Sequence, residues 1–235
     1  MVSAIKENVE RIRGEIAEAA RRAGRRADEV RLMGVTKFHP LEMMLEAAPL
    51  LDLVGENRVQ EAAEKRAAWP EGTPCCPWHL IGHLQRNKIR RALENFDLVE
   101  SIDALETACS MDRVLREGGA ERTFPIFIEV NMSREPAKSG VAPEEAERLL
   151  ESIMKSAPSL HVEGLMTVAE DTDDEAVLRA TFGGLRELRG RLAAASGLPL
   201  PELSMGMSGD FALAVEEGST IVRVGSAIFG PRNYG

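Results

Sequence analysis

The hydrophobic positions of the chain form one helical stripe, followed by an alternation of short apolar runs and amphipathic stretches. Val2, Ile5, Val9, Ile12, Ile16 and the pair Ala19-Ala20 recur every three to four positions, with Glu, Lys and Arg between them. This spacing predicts an amphipathic helix of about five turns that needs a surface to lie on. The helix stops near Gly24, and a charged connector over 25–29 leads into the first strand-like run.

Strand-like runs then appear at 31–36, 51–55, 79–82, 98–102, 125–131, 161–167, 202–205 and 221–225. Between them lie stretches of helical period at 41–48, 59–69, 87–95, 105–117, 143–156, 174–195 and 209–217. Pro143-Glu144-Glu145 places proline in a first turn and acids at the positive end of the helix dipole, and Asp173-Asp174-Glu175 marks a second such start. Strands alternating with helices in this number predict an α/β protein, a single (β/α)8 TIM barrel with an extra N-terminal helix. A doubly wound open sheet is the competing architecture, but it has fewer strands, and no G-x-G-x-x-G follows the first run. The expected organisation is one barrel domain over 1–235.

Composition narrows the function classes. With 235 residues and 44% hydrophobic content the chain can build one sizeable core. A net charge of −9 argues against a binder of nucleic-acid backbones, which needs a basic face. No N-terminal segment has the order of a signal peptide and no apolar run approaches membrane-spanning length, so a cytoplasmic protein is expected. The three cysteines, Cys75, Cys76 and Cys109, make neither a disulfide framework nor a metal-ligand spacing. His79 and His83 are four apart but flank a strand end, and no metal is expected.

In a barrel the chemistry lies at the C-terminal ends of the strands. There the chain places Thr36-Lys37, Glu56-Asn57, Gly82-His83, Ser101, Asn131, Thr167, Ser204 with Ser208, and Gly225-Ser226. Singly, such residues are ordinary turn and cap residues. Lys37 stands out because an ammonium at a buried strand end must snorkel to solvent, meet an anion or become a usable amine nucleophile. Ser204-Met205-Gly206-Met207-Ser208-Gly209 puts small residues before a helix, and Gly225-Ser226 does the same after the last strand. Barrels bind phosphate at these two loops, through backbone N–H groups and hydroxyls, although tight helix–strand packing would select the same residues. Strict alternation puts Arg223 on the face of Ile221 and Gly225, hence inside the barrel if that face is the interior. Its partner is then an inward carboxylate such as Glu129, or a ligand atom. An amine, a phosphate cradle and an inward arginine together suit a phosphorylated aldehyde, of which pyridoxal 5′-phosphate is the common one.

At these residues the sequence resembles the YggS/PROSC-type pyridoxal phosphate homeostasis proteins. The matching segments are Val35-Thr36-Lys37, Gly55-Glu56-Asn57-Arg58-Val59-Gln60-Glu61, Trp78 through Gln85, Val130-Asn131, Lys138-Ser139-Gly140, Gly164-Leu165-Met166-Thr167 and the run from Ser204 to Gly235. Arg58, Leu80 and Arg86 depart from the family's usual tyrosine, aromatic and serine, and leave Lys37, Asn57 and the phosphate loops intact. The resemblance implies the barrel of fold-type III enzymes such as alanine racemase, with Lys37 as the internal aldimine and Arg223 facing the pyridine nitrogen. It also implies Asn57 lining the cofactor and Ser204, Gly225 and Ser226 holding the phosphate; Met205 and Ser208, in the small-residue loop over 204–209, are counted among the expected cofactor-binding residues.

The implied function is to hold pyridoxal phosphate and supply it to apo-enzymes that depend on it. The alternatives are a racemase-like enzyme working from a single lysine base, and a sugar-phosphate barrel in which Lys37 attacks a carbonyl. Racemases of this type carry a second domain after the barrel, whereas this sequence stops just beyond the eighth strand with Tyr234, its one tyrosine, which is expected to pack under the rim. A monomer is the expected state. Lys138, on a polar loop after the fifth strand, is either an ordinary solvated lysine or a charge that steers the anionic cofactor.

Overall fold

A computed structural model describes residues 4–118 and 123–230; Val2 and Tyr234 lie outside them. Eight parallel strands pair in chain order and close on themselves. They are β1 (Arg31–Val35), β2 (Leu53–Glu56), β3 (Trp78–Leu80), β4 (Leu98–Ile102), β5 (Phe124–Glu129), β6 (Leu160–Met166), β7 (Glu202–Ser204) and β8 (Ile221–Val224). Closure is made by β1 against β8, in a register that runs from Arg31 opposite Ile221 to Gly34 opposite Val224. The ends of the first and last strands therefore lie side by side.

The helix α1 (Ala4–Arg22) precedes the barrel. Then α2 (Leu41–Ala47), α3 (Val59–Ala67), α4 (Ile89–Asn95), α5 (Leu105–Glu117), α6 (Ala146–Ser156), α7 (Glu175–Ser196) and α8 (Phe211–Glu216) each follow one strand, and a short α9 (Ser226–Phe229) follows β8. Local sequence explains several boundaries. The Asp174 carboxylate caps α7 by accepting the N–H groups of Ala176 and Val177, and Gly197 ends it in the left-handed region at φ 73°. Pro143 to Glu145 form a 3-10 turn rather than the start of the α-helix, which begins at Ala146.

Side-chain parity divides the core in two. Met33, Leu53, Leu98, Phe127, Met166 and Ile221 pack together inside the barrel. Leu32, Val222 and Val224 point outward and share a cluster with Val9, Ile12 and Ile16 of α1, so the N-terminal stripe covers the β1–β8 seam. A larger cluster under α3 to α7 covers the remaining strands. No helix among the described residues is long and apolar enough to cross a membrane.

Candidate functional site

A cavity of about 280 Å³ lies at the C-terminal mouth of the seam and is lined by Val35, Lys37, His39, Ile81, Met207, Ser208, Gly209, Arg223, Gly225 and Ser226. Its volume falls just below the roughly 300–1,000 Å³ usual for small-molecule sites. The β1–β8 register explains the gathering: Lys37 leaves the end of β1 one strand from Gly225 at the end of β8. Of the residues expected to bind a cofactor, Lys37, Ser208, Arg223, Gly225 and Ser226 face this one space. Ser204, Met205 and Asn57 do not.

Arg223 enters from the barrel interior, as its parity with Ile221 requires, and its side chain is almost wholly buried. One guanidinium nitrogen donates to Ser204 Oγ at 2.8 Å and another to the Thr167 carbonyl at 2.7 Å. Ser204 in turn donates to Glu100 Oε2 at 2.5 Å, and the other oxygen of Glu100 meets His79 Nδ1 at 2.7 Å. Of the two partners left open by the sequence, an inward carboxylate such as Glu129 or a ligand atom, the carboxylate reached is Glu100, and it is reached by a relay through the Ser204 hydroxyl that stands between it and the guanidinium. Burial pushes the Arg223 pKa down, while Glu100, Glu129 and Asp210 oppose this. An arginine keeps its proton in such surroundings, so a fixed cation sits at the cavity floor.

The relay also explains why Ser204 lies beneath the site: its hydroxyl is fully buried and committed to orienting Arg223. Met205 is likewise fully buried, in the core cluster. Glu129 remains near the floor, and its carboxyl is pushed up to about 7 by burial and by Asp103 and Glu100, against the pull of Arg223.

The β7 and β8 loops meet at Ser208. Its Oγ accepts the N–H of Gly225 at 3.3 Å and that of Ala227 at 3.4 Å, so a hydroxyl oxygen holds two backbone donors at the start of α9. Gly206 makes the loop possible: it has φ 94°, and a Cβ there would lie 2.6 Å from that of Ala214. Two backbone donors beside two serine hydroxyls form a set that an anionic oxygen can share.

Asn57 lines a neighbouring concavity with Arg58, His83 and Lys88, and its Oδ1 is buried with no hydrogen-bond partner among the described residues. Lys138 donates to the Ala169 carbonyl at 2.9 Å and pairs with Glu135, so its charge is matched on its own loop. Other strand-end residues serve the backbone: Ser101 donates to the Gly82 carbonyl, Thr167 to that of Val130, and Asn131 to that of Glu135. Among the lining residues, His39, Val35, Ile81 and Met207 carried no expectation of contact. His39 could have been found, because it lies two positions beyond Lys37; its ring packs against Phe229, with centroids 4.9 Å apart. Ile81 and Met207 had no chemical signal.

The chain matches the family model described as alanine racemase, N-terminal domain, over residues 2–233. It is 41% identical over 236 residues to the pyridoxal phosphate homeostasis protein of Pseudomonas aeruginosa, covering 100% of this chain and 98% of that one. With the protein of the same name from Vibrio cholerae it shares 39% over 234 residues, 98% and 97% of the two chains. Among solved structures it is similar to PipY of Synechococcus elongatus with PLP bound, at a TM-score of 0.79 and 36% identity, covering 92% of this chain and all of that one. An alanine racemase of Clostridium difficile shares the fold at a TM-score of 0.73 and 16% identity; 96% of this chain and 57% of that one are covered.

Proposed function

The chain belongs to the family of pyridoxal phosphate homeostasis proteins built on the alanine racemase N-terminal domain, and on that premise we propose that it binds pyridoxal 5′-phosphate in the β1–β8 cavity and supplies it to other enzymes. The observation that carries the proposal is the convergence of three chemistries on one space: the Lys37 amine, the Arg223 guanidinium, and the Ser208, Gly225 and Ser226 donor set. The fit of the residues supports it, since the Ser208 oxygen already takes two backbone N–H groups of the kind a phosphate oxygen accepts. When bound, the cofactor brings an aldehyde that a lysine amine captures reversibly and a ring that can delocalise negative charge.

In this reading Lys37, half-buried just beyond the end of β1, supplies the amine. Ser208, Ser226 and the N–H groups of Gly225 and Ala227 hold the phosphate. Arg223, oriented by Ser204 and the Thr167 carbonyl, faces the ring and sets a positive field that opposes further protonation there. Val35, Ile81 and Met207 provide apolar walls that exclude water. Asn57, in the adjoining concavity, lines the approach, and Ser204 and Met205 act from beneath. The protein works in the cytoplasm as a monomer, and its partners are apo-enzymes that depend on this cofactor.

Holding and transforming are separated by a single experiment. The loaded protein is mixed with an apo-enzyme and, in parallel, with alanine in heavy water. The expected result is recovery of the apo-enzyme's activity without deuterium at the alanine α-carbon. Deuterium uptake at turnover rates would instead make this a racemase-like enzyme with Lys37 as its base.

A further inference from the structure

The segment that carries Lys37 is held from outside the cavity by α3. The Thr36 carbonyl, which belongs to the peptide group before Lys37, accepts a hydrogen bond from Lys65 Nζ at 2.7 Å. The Phe38 N–H, which belongs to the peptide group after Lys37, donates to Glu61 Oε1 at 2.8 Å. Lys65 Nζ also meets Glu56 Oε1 at 2.6 Å and Glu61 Oε1 at 2.8 Å, and the Thr36 hydroxyl donates to the same Glu56 oxygen at 2.6 Å. An ammonium has three N–H donors, and here three acceptors take them in a site where Lys65 is only 8% exposed. The cation is therefore fixed.

We propose that Lys65 and Glu61 of α3, together with Glu56 of β2, are the positioning residues for Lys37, gripping the two peptide groups that flank it and so directing its amine into the β1–β8 cavity. An ion pair between Lys65 and Glu56 alone would tie α3 to its own strand. The additional bonds, to the Thr36 carbonyl and the Phe38 N–H, reach across to β1 and act on the one residue between them. Glu61 keeps partial access to water yet receives the Phe38 N–H. Phe38 also needs holding. Its φ of 65° lies in the left-handed region, rare for an aromatic side chain, and such a residue persists when its surroundings over-determine it. The Arg58 guanidinium, just before α3, lies 5.0 Å over the Phe38 ring, so the helix holds this residue from a second side.

The inference rests on the reading that Lys37 captures an aldehyde, and its test separates the two. Pyridoxal phosphate is titrated into the parent protein and into Lys65→Met, Glu61→Leu and Lys65→Arg, with the rate and extent of the visible band as readout. Deoxypyridoxine phosphate, which has the phosphate and ring but no aldehyde, is titrated in parallel to report the cradle alone. Misplacing a reacting group by about 1 Å costs on the order of a hundredfold. Lys65→Met and Glu61→Leu are expected to slow capture by about tenfold to a hundredfold with unchanged affinity for the aldehyde-free analogue, and Lys65→Arg to recover part of the rate. Unchanged capture in both variants overturns the positioning role, and so does an equal loss of analogue binding, which marks a general disturbance of the fold. Should Lys65→Met not fold, Glu61→Leu decides alone by the same two readouts. A parent protein without any band sinks the reading of the cavity itself, a different failure from unchanged variants.

Discussion

Arg223 and Glu129 face the same barrel interior and show how single side chains set the electrostatics of the site. Arg223 is hydrogen-bonded to Ser204, which donates on to Glu100, while burial, Asp103 and Glu100 raise the Glu129 carboxyl from 4.5 to about 7 against the pull of Arg223. A carboxyl raised in the folded chain favours folding most where it is protonated in both states. The stabilisation from Glu129 is therefore full below about pH 4.5, falls as pH rises, and is gone above about pH 7. The difference between those limits amounts to about 3 kcal/mol. Denaturant midpoints measured from pH 4 to 8 should accordingly fall more steeply for the parent than for Glu129→Gln, and parallel curves would show that Glu129 does not titrate in this way. Some of this arrangement could be read from the residues: alternation put Arg223 on the face of Ile221, and the closed barrel makes that face the interior. The identity of its partner could not, since a relay through Ser204 depends on which inward side chains meet across the barrel. The strand-end position of Ser204 gave no sign of whether its hydroxyl faced the mouth or the floor.

The strands and helices were readable where their period ran long enough. The apolar runs at 98–102 and the stripe at 105–117 coincide with β4 and α5, because each is bounded by residues that break its pattern. β3 is shorter than its apolar run suggests, and begins one residue earlier. The chain beyond it turns at Gly82, where a Cβ would lie 2.3 Å from the Asn57 carbonyl oxygen. That approach holds the ends of β2 and β3 together and has no signature in either segment alone. α9, at four residues, is too short to express a helical period, and so its first turn reads only as a small-residue loop. Gly82→Ala is expected to destabilise the protein by about 1–3 kcal/mol, because the clash is with backbone rather than a flexible side chain. Urea unfolding measures this, and an unchanged midpoint would mean that the two strand ends part without penalty.

The molecule as a whole is a closed ring with one seam covered by a helix that precedes it. Strand count and order predicted the ring; what they could not supply is its closing register, since the pairing of β1 with β8 joins segments at opposite ends of the sequence. That register places the Lys37 end of the chain beside the Gly225 end and so creates the cavity. Over the same seam, α1 buries Ile12 completely against Leu32, Val222 and Val224. Ile12→Ala should cost about 2–5 kcal/mol, against less than about 0.5 for the exposed Glu10→Ala, as read from thermal or urea unfolding. Equal effects would mean that α1 is not part of the cooperative unit. The proposed function requires this seam to make a site where Lys37 captures pyridoxal phosphate. Its most direct test is the visible spectrum of the purified protein and of Lys37→Ala with added cofactor, before and after borohydride, with the modified peptide identified by mass. The parent is expected to show a band that borohydride converts into a stable adduct on Lys37, and the variant to show none. A parent without a band, or an adduct on another lysine, would contradict it.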